Sequence, residues 1–463
     1  MRTTLILILV ALPVLSTTIH VPADQPTIQA GIEAASAGDT VNVACDTYYE
    51  HDVVMKSGVY LTSETGSADC VVIDAQGEGR VFYCDGLESD TFIKGITITG
   101  GAISGDWPDI SGGGIYCQNS DLTIKECVIS HNSGNYYGGG IYFNGCLAEL
   151  EDCSINVNHA SSGGGVYCWN SSVTVANCSF LKNSALSIGG LACLENSSPT
   201  ITGCTFIGNT STGGGGAVGC YYNSSPELSD CSFNANSSPS GGGGLSCNNS
   251  SPDLLRCTFD SNEGGGMYCY ESSPTLTGCA FSRNTSTYYG GGMSCYSNSS
   301  PTLTSCTFQG NTATFYGGGL FCLINSSPLL VNCTIASNGA QAGGGAMSCS
   351  EYSTPQLFNC IIALNSEGAA IHCIGSSCPS LTCCDIFGNV GGDWVGEIAN
   401  QYEINGNISY DPLFCDYNAN DYSLEGQSPC APANNDCGVL MGAWPVGCTS
   451  IENTTWSEIK VLF

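Results

Sequence analysis

Apolar and polar residues alternate along this chain in pieces too short for helices. In residues 264–284, GGGMYCYESSPTLTGCAFSRN, the apolar positions are Met267 and Cys269, then Leu276, then Cys279 and Phe281. Within a piece the period is two, as in a strand with one buried face. Glycine triplets and Ser-Pro steps separate the pieces and exclude long helices. Leu276 and Cys279 stand an odd number of residues apart, so a bend at Gly278 is needed to turn both inward.

The stretch recurs. Cys279 has counterparts at Cys127, Cys153, Cys178, Cys204, Cys231, Cys257, Cys306, Cys333, Cys360 and Cys384, at steps of 22 to 27 residues. Five residues after each stands an asparagine: Asn132, Asn158, Asn183, Asn209, Asn236, Asn262, Asn284, Asn311, Asn338, Asn365 and Asn389. A second cysteine column lies upstream, at Cys117, Cys168, Cys193, Cys220, Cys247, Cys269, Cys295, Cys322, Cys349 and Cys373. One repeat, GGGIYFNGC, puts Phe143 at that column and Cys146 three residues later. Three short strands per repeat of ~25 residues predict an all-β fold, a right-handed parallel β-helix. Roughly 13 to 15 coils at ~4.8 Å each would make a rod about 65 Å long. Helix is expected only in a cap near residues 29–35. A leucine-rich repeat has an overlapping period, but leucine is sparse here and glycine fills its place.

In such a stack each column becomes a ladder. Cys204, Cys231, Cys257, Cys279, Cys306 and Cys333 form one structural ladder, and Asn209, Asn236, Asn262, Asn284, Asn311 and Asn338 another. Asparagine suits left-handed backbone, and stacked amides can hydrogen-bond from coil to coil. The Asn-Ser-Ser-Pro phrases from Asn196, Asn223, Asn249, Asn298 and Asn325 read as turns rather than glycosylation sites. The cysteine spacing and the lack of nearby histidines do not fit zinc. A thiol ladder and a disulfide ladder both stay open, although parallel Cβ vectors pose neighbouring sulfurs poorly. Cys415, Cys430, Cys437 and Cys448 lie in less regular sequence and are the candidate disulfide cysteines. The total of 31 cysteines is odd, so at least one has no partner within the chain.

Phe-x-x-Asn (Phe206 to Asn209, Phe308 to Asn311) with Gly-Gly-small phrases resembles the repeat of polymorphic outer membrane proteins. TIQAGIEAASAGDTVNVACDTYYE near the start resembles the cap and first coils of the pectin-lyase-like superfamily. DPLFCDYNANDYSLEGQSPCAP resembles the closing coils of many secreted bacterial β-helix proteins. The resemblance spans residues ~19 to 448 and implies the fold; that fold hosts lyases, hydrolases, adhesins and inert stalks alike. Polymorphic outer membrane proteins continue into a membrane barrel, whereas only fifteen residues follow Cys448 here.

Charge narrows the partners. Nine Lys and Arg stand against 40 Asp and Glu, a net charge of -31. That surface repels nucleic acid and acidic polysaccharide. MRTTLILILVALPVLSTT reads as a signal peptide over residues 1–17, too short to span a membrane, so the chain is expected to be exported. Residues 18–110 would form the cap and irregular first coils, 111–395 the regular repeats, 396–448 the closing coils and 449–463 a tail. No motif of a metalloprotease, nucleophile elbow or phosphate loop occurs. The bases open to a lyase-type proton abstraction are Arg80, Arg256, Arg283, Lys56, Lys94, Lys125, Lys182 and Lys460, each read as a solvated side chain. No catalytic residue and no cofactor is assigned; calcium stays open without a motif. The only irregular places are residues 101–110 and 391–401. The expected role is a non-enzymatic, adhesin-like or structural surface for glycans or cell-surface proteins, with a carbohydrate-active enzyme as the alternative. Tyr136, Tyr137, Tyr288, Tyr289, Phe315 and Tyr316 form an intermittent aromatic edge, suited to a ligand or to covering the core at a bend.

Overall fold

A computed structural model describes residues 16–88, 90–105 and 110–448. The expected signal peptide, apart from its last two residues, and the tail with Lys460 lie outside the described residues.

The chain winds into a parallel β-helix with three long sheets. Sheet I has 13 strands, sheet II has 15 and sheet III has 14. In the coil quoted above, Met267–Tyr270 belongs to sheet I, Thr275–Thr277 to sheet II and Ala280–Ser282 to sheet III. All strands pair in parallel within these sheets, and like residues meet: Cys269 with Cys295, Leu276 with Leu303, Phe281 with Phe308. A fourth ladder of two-residue strands runs along the bend after sheet III, in two stretches from His159–Ala160 and from Thr285–Ser286. Helix α1, Ile28–Ala34, plugs the first coil where a cap was expected, with the Thr27 hydroxyl accepting from the Ala30 N–H.

The bends explain how the odd spacing is absorbed. The residue before each anchor cysteine takes positive φ, among them Gly278 (φ 60), Arg256 (φ 52) and Asn332 (φ 52). That one left-handed residue reverses the strand's alternation, so Leu276 and Cys279 both point inward and are buried. A second left-handed column precedes the asparagines, at Lys182, Arg283 and Leu364 among others. This corrects the sequence reading: the asparagine itself is not left-handed, and its neighbour takes the strain.

The asparagine side chain instead spans coils. Asn284 Nδ2 and backbone N–H both donate to Asn311 Oδ1, at 2.9 and 3.0 Å, and Nδ2 also donates to the Phe259 carbonyl at 2.9 Å. The same chain of amides runs from Asn132 to Asn389. Beside it, phenylalanines from Phe180 to Phe308 stack face to face with centroids 4.5 to 5.0 Å apart. The glycines of the triplet keep successive coils in contact: a Cβ on Gly292 would lie 2.6 Å from the Gly319 carbonyl and 2.7 Å from the Phe308 ring. The Asn-Ser-Ser-Pro turns carry a further ladder, each inner serine hydroxyl accepting from the serine N–H of the coil before.

No disulfide joins members of the two cysteine columns. The thiols of Cys204, Cys231, Cys257, Cys279, Cys306 and Cys333 each donate to a carbonyl of the preceding coil at 3.5 to 3.7 Å. They behave as small apolar core residues with a weak donor. The bridges lie elsewhere: Cys45–Cys70, Cys383–Cys437 and Cys415–Cys448. Cys430 was grouped with the candidate disulfide cysteines, and it makes no bridge. It is buried, and its thiol donates to Asp385 Oδ2 at 3.2 Å.

The closing residues double back over the outer face of sheet III. Trp444 Nε1 donates to Thr307 Oγ1, the Ala443 N–H to Thr334 Oγ1 and the Gly442 N–H to the Asn359 carbonyl. Phe414, Tyr422, Leu424, Cys430 and Met441 bury Ala336, Ile361 and Ala363 beneath them. The last coils are therefore covered on a face that is open elsewhere along the rod.

Candidate functional site

The outer face of sheet I carries a column of aromatic side chains outside the core. Its second strand position reads Tyr83, Tyr116, Tyr142, Tyr167, then Ala192, Gly219, Ser246, Tyr268, Ser294, Phe321, Ser348 and His372. Large rings fill the first coils; small residues alternate with rings later. The bend folds side chains over strand residues both small and large. Ile188 lies so close above Gly219 that a Cβ there would sit 2.5 Å from Ile188 Cδ1. Tyr289 stacks on Phe321 at 4.6 Å, and Tyr137 lies tilted against Tyr167 at 4.5 Å. The second residue of each aromatic pair on the edge is thus a cover for the sheet.

The first residue of each pair is not. Tyr136, Tyr288 and Phe315 are 47%, 58% and 42% exposed. Tyr288 and Phe315 come from successive coils and stack at 6.3 Å with their planes 13° apart. They present two near-parallel rings to solvent, backed by Tyr289 and Tyr316. From Asn284 to Ser350 the chain contains no Asp, Glu, Lys, Arg or His. In a protein of net charge -31, this is a neutral belt. On sheet III the belt lies beneath the closing residues; at the aromatic edge it is open. Sequence reasoning noted the rings but missed the belt, which shows as an interval without charge.

Most of the basic residues have structural partners. Arg256 makes two hydrogen bonds to Asp230, at 2.9 and 2.8 Å, and Arg283 reaches Asp260 at 2.6 Å. Lys125 pairs with Glu151 at 2.6 Å and Lys94 with Glu126 at 3.4 Å. Lys56 donates to the Ala35 carbonyl, and Lys182 is exposed. Each ion pair joins two neighbouring coils.

Arg80 departs from its reading as a solvated side chain. It is 5% exposed, the one buried base among the described residues. Its guanidinium lies 4.8 Å over the Tyr116 ring and 5.4 Å over Tyr83, with Asp52 Oδ1 3.9 Å from Nε. Asp52 also meets His51 Nδ1 at 3.0 Å, and Tyr116 donates to Gln118 at 2.6 Å. Gly79 lets Asp52 approach: a Cβ there would come within 2.4 Å of its carboxylate. The irregular stretch predicted at 101–110 begins beside this cluster, where the Ala102 N–H donates to the Gly79 carbonyl. A cation over aromatic rings, a carboxylate and an imidazole make one end of sheet I chemically unlike the other.

At the far end, Asp385 is buried beneath the closing residues. Its carboxylate accepts from the Tyr410 N–H at 3.1 Å and from Cys430. Burial pushes its pKa up to about 7, and burial beside this carboxyl also raises the Cys430 thiol. Cys45, Glu64 and Cys70 cluster closely enough to suggest a metal site. The two cysteines are joined as a disulfide and have no thiolate to offer. No helix among the described residues is long and apolar enough to cross a membrane.

Comparison with known proteins agrees with the fold. A solved structure, the Azotobacter vinelandii mannuronan C-5 epimerase AlgE6 A-module, covers 83% of this chain and 94% of its own, at 11% identity and a TM-score of 0.29. So low a score carries no argument, and the agreement with the fold rests on the family match. No curated protein matches. The description of the right-handed beta helix region matches residues 42–206, 113–285 and 243–409, and the chain belongs to that family.

Proposed function

We propose that the chain is an exported, non-enzymatic display rod whose aromatic edge binds neutral glycans. One observation carries the reading: Tyr288 and Phe315 form an exposed pair of stacked, near-parallel rings inside the neutral belt. Flat rings pack against the apolar faces of sugars, and an uncharged surround costs an uncharged polymer no charge desolvation. The acidic remainder of the surface turns away polyanions. The repeating backbone holds the two rings in place before any ligand arrives, which limits the entropy lost on binding.

The test is an array of neutral and acidic glycans, run alongside an assay for new reducing ends. Binding of neutral chains without release supports the reading. Tyr288→Ala and Phe315→Ala should each weaken that binding about tenfold, since a lost stacking contact costs roughly 1.4 kcal/mol. Absence of binding, or binding that both variants retain, would overturn it. A second reading, a carbohydrate-active enzyme, is favoured by the Arg80, Asp52 and His51 cluster beside an irregular stretch. Turnover lost in Arg80→Gln and kept in Tyr288→Ala would establish that alternative.

A further inference from the structure

We propose that Cys373 and Cys378 are a redox-active pair that closes a fourth disulfide at the end of the upstream cysteine column. Their sulfurs lie 2.8 Å apart. Unbonded heavy atoms rest at roughly 3.5–4.0 Å, so the two thiols are already pressed toward a bond. The chain between them, Ile-Gly-Ser-Ser, reverses at Gly375 (φ 69). The Ser377 hydroxyl, accepting from the Ser353 N–H, ties the turn to the coil before.

Access singles out the same pair. Of the cysteines outside disulfides, Cys378 alone is not buried. The thiols of both columns up to Cys349 are enclosed and their neighbours stand in parallel registry, and those of the downstream ladder each donate to a carbonyl. Cys378 accepts a hydrogen bond from Cys373, which lowers its pKa and marks it as the attacking sulfur.

The step is an exchange with a disulfide oxidant such as oxidised glutathione. The Cys378 thiolate attacks one oxidant sulfur, forms a mixed disulfide and expels the first oxidant thiolate. Cys373 gives up its proton and attacks the Cys378 sulfur, expelling the second. Two protein thiols are oxidised, one oxidant disulfide is reduced to two thiols, and the protons pass to the departing thiolates.

The full chain, equilibrated with excess oxidised glutathione, would be quenched in acid, denatured, alkylated, digested and weighed. The peptide holding Cys373 and Cys378 should be two hydrogens lighter than the dithiol and take up alkyl groups only after reduction. Peptides holding Cys279 or Cys306 should be alkylated without reduction. In the Cys378→Ser variant, Cys373 should be alkylated directly. Three outcomes would overturn the proposal: both cysteines alkylated without reduction, Cys378 isolated with glutathione still attached, or Cys373 bridged to another column member. Folding of the variant is checked separately by the unchanged alkylation of Cys279 in the native state.

Discussion

The first coils and the neutral belt share one interior and have opposite exteriors. Inward, both carry the amide ladder, which begins at Asn132 and passes through Asn284 and Asn311 unchanged. Outward on sheet I, the early coils stack Tyr83, Tyr116, Tyr142 and Tyr167 in an unbroken column beside a buried arginine, while in the belt the single ring Phe321 stands between Ser294 and Ser348 and further rings lie on the rim. The inner columns are locked by coil-to-coil hydrogen bonds, so a repeat that changes there loses several bonds together. The outer positions carry no such continuous hydrogen-bonded ladder and are free to diverge. Stability therefore resides in the ladders, and any recognition resides in where the outer face departs from coil to coil.

The largest effect should come from breaking what the two regions have in common. Asn158→Ala and Asn284→Ala each remove an amide that donates twice and accepts twice. Buried partners are left unpaired, at a cost of about 3–5 kcal/mol in either coil. Hydrogen exchange across the flanking strands would report it locally, which suits a stack that need not unfold as one unit. Equal loss at the two sites is expected. A much smaller loss in the neutral belt would show that its interior differs after all.

Next comes a contrast that separates the exteriors. Tyr142→Ala deletes a ring that is 2% exposed and stacked between Tyr116 and Tyr167, and should cost about 3 kcal/mol. Ser294→Ala, in the equivalent position of the belt, removes one hydrogen bond to the Tyr289 carbonyl and should cost about 1 kcal/mol. Thermal melting of both variants measures the difference; a reversed order would sink the view that the early tyrosines support the fold.

These contrasts also show how much was legible in the sequence. The fold could be read because each coil repeats the same inward residues, and eleven asparagines at one offset leave little alternative. The bend at Gly278 was legible from parity alone. The left-handed column was assigned one residue late, because asparagine's tolerance of that backbone is a propensity, and the buried amide ladder overrides it. Cys45 and Cys70 were missed although they stand one coil apart, next to the paired Asp46 and Val71. They lie on the outside of a bend, where the core does not hold their Cβ vectors parallel. Arg80, Asp385 and the doubling back of the closing residues were illegible, since each depends on which outer face later chain comes to cover.

The covered end responds to pH where the neutral belt cannot. Asp385 has an ordinary pKa of 3.8 when exposed and about 7 when buried. Between those values the folded protein holds a proton that the unfolded chain releases. Stability from this group is therefore highest below about pH 4, falls as pH rises, and levels off above about pH 7. The full change is of the order of 2–4 kcal/mol. Asp385→Asn should remove the slope when its unfolding is compared with the parent's across that range. An unchanged slope would place the pH response in other carboxylates.

The smallest effect sharpens the comparison from its charged side. Arg80 and Arg256 both meet an aspartate, and both were read from sequence as solvated bases. Arg80 is enclosed by two rings, so Arg80→Gln leaves a desolvated space and should cost about 2 kcal/mol. Arg256 is exposed, and its bond to Asp230 competes with water and salt. Arg256→Gln should cost less than about 1 kcal/mol, and the difference from the parent should fade as salt is raised. Melting curves at low and high ionic strength test both variants at once. If Arg256→Gln proved as costly as Arg80→Gln, the inter-coil ion pairs would be structural members in their own right. The division between a ladder-bound interior and a permissive exterior would then fail at the surface, where it is weakest.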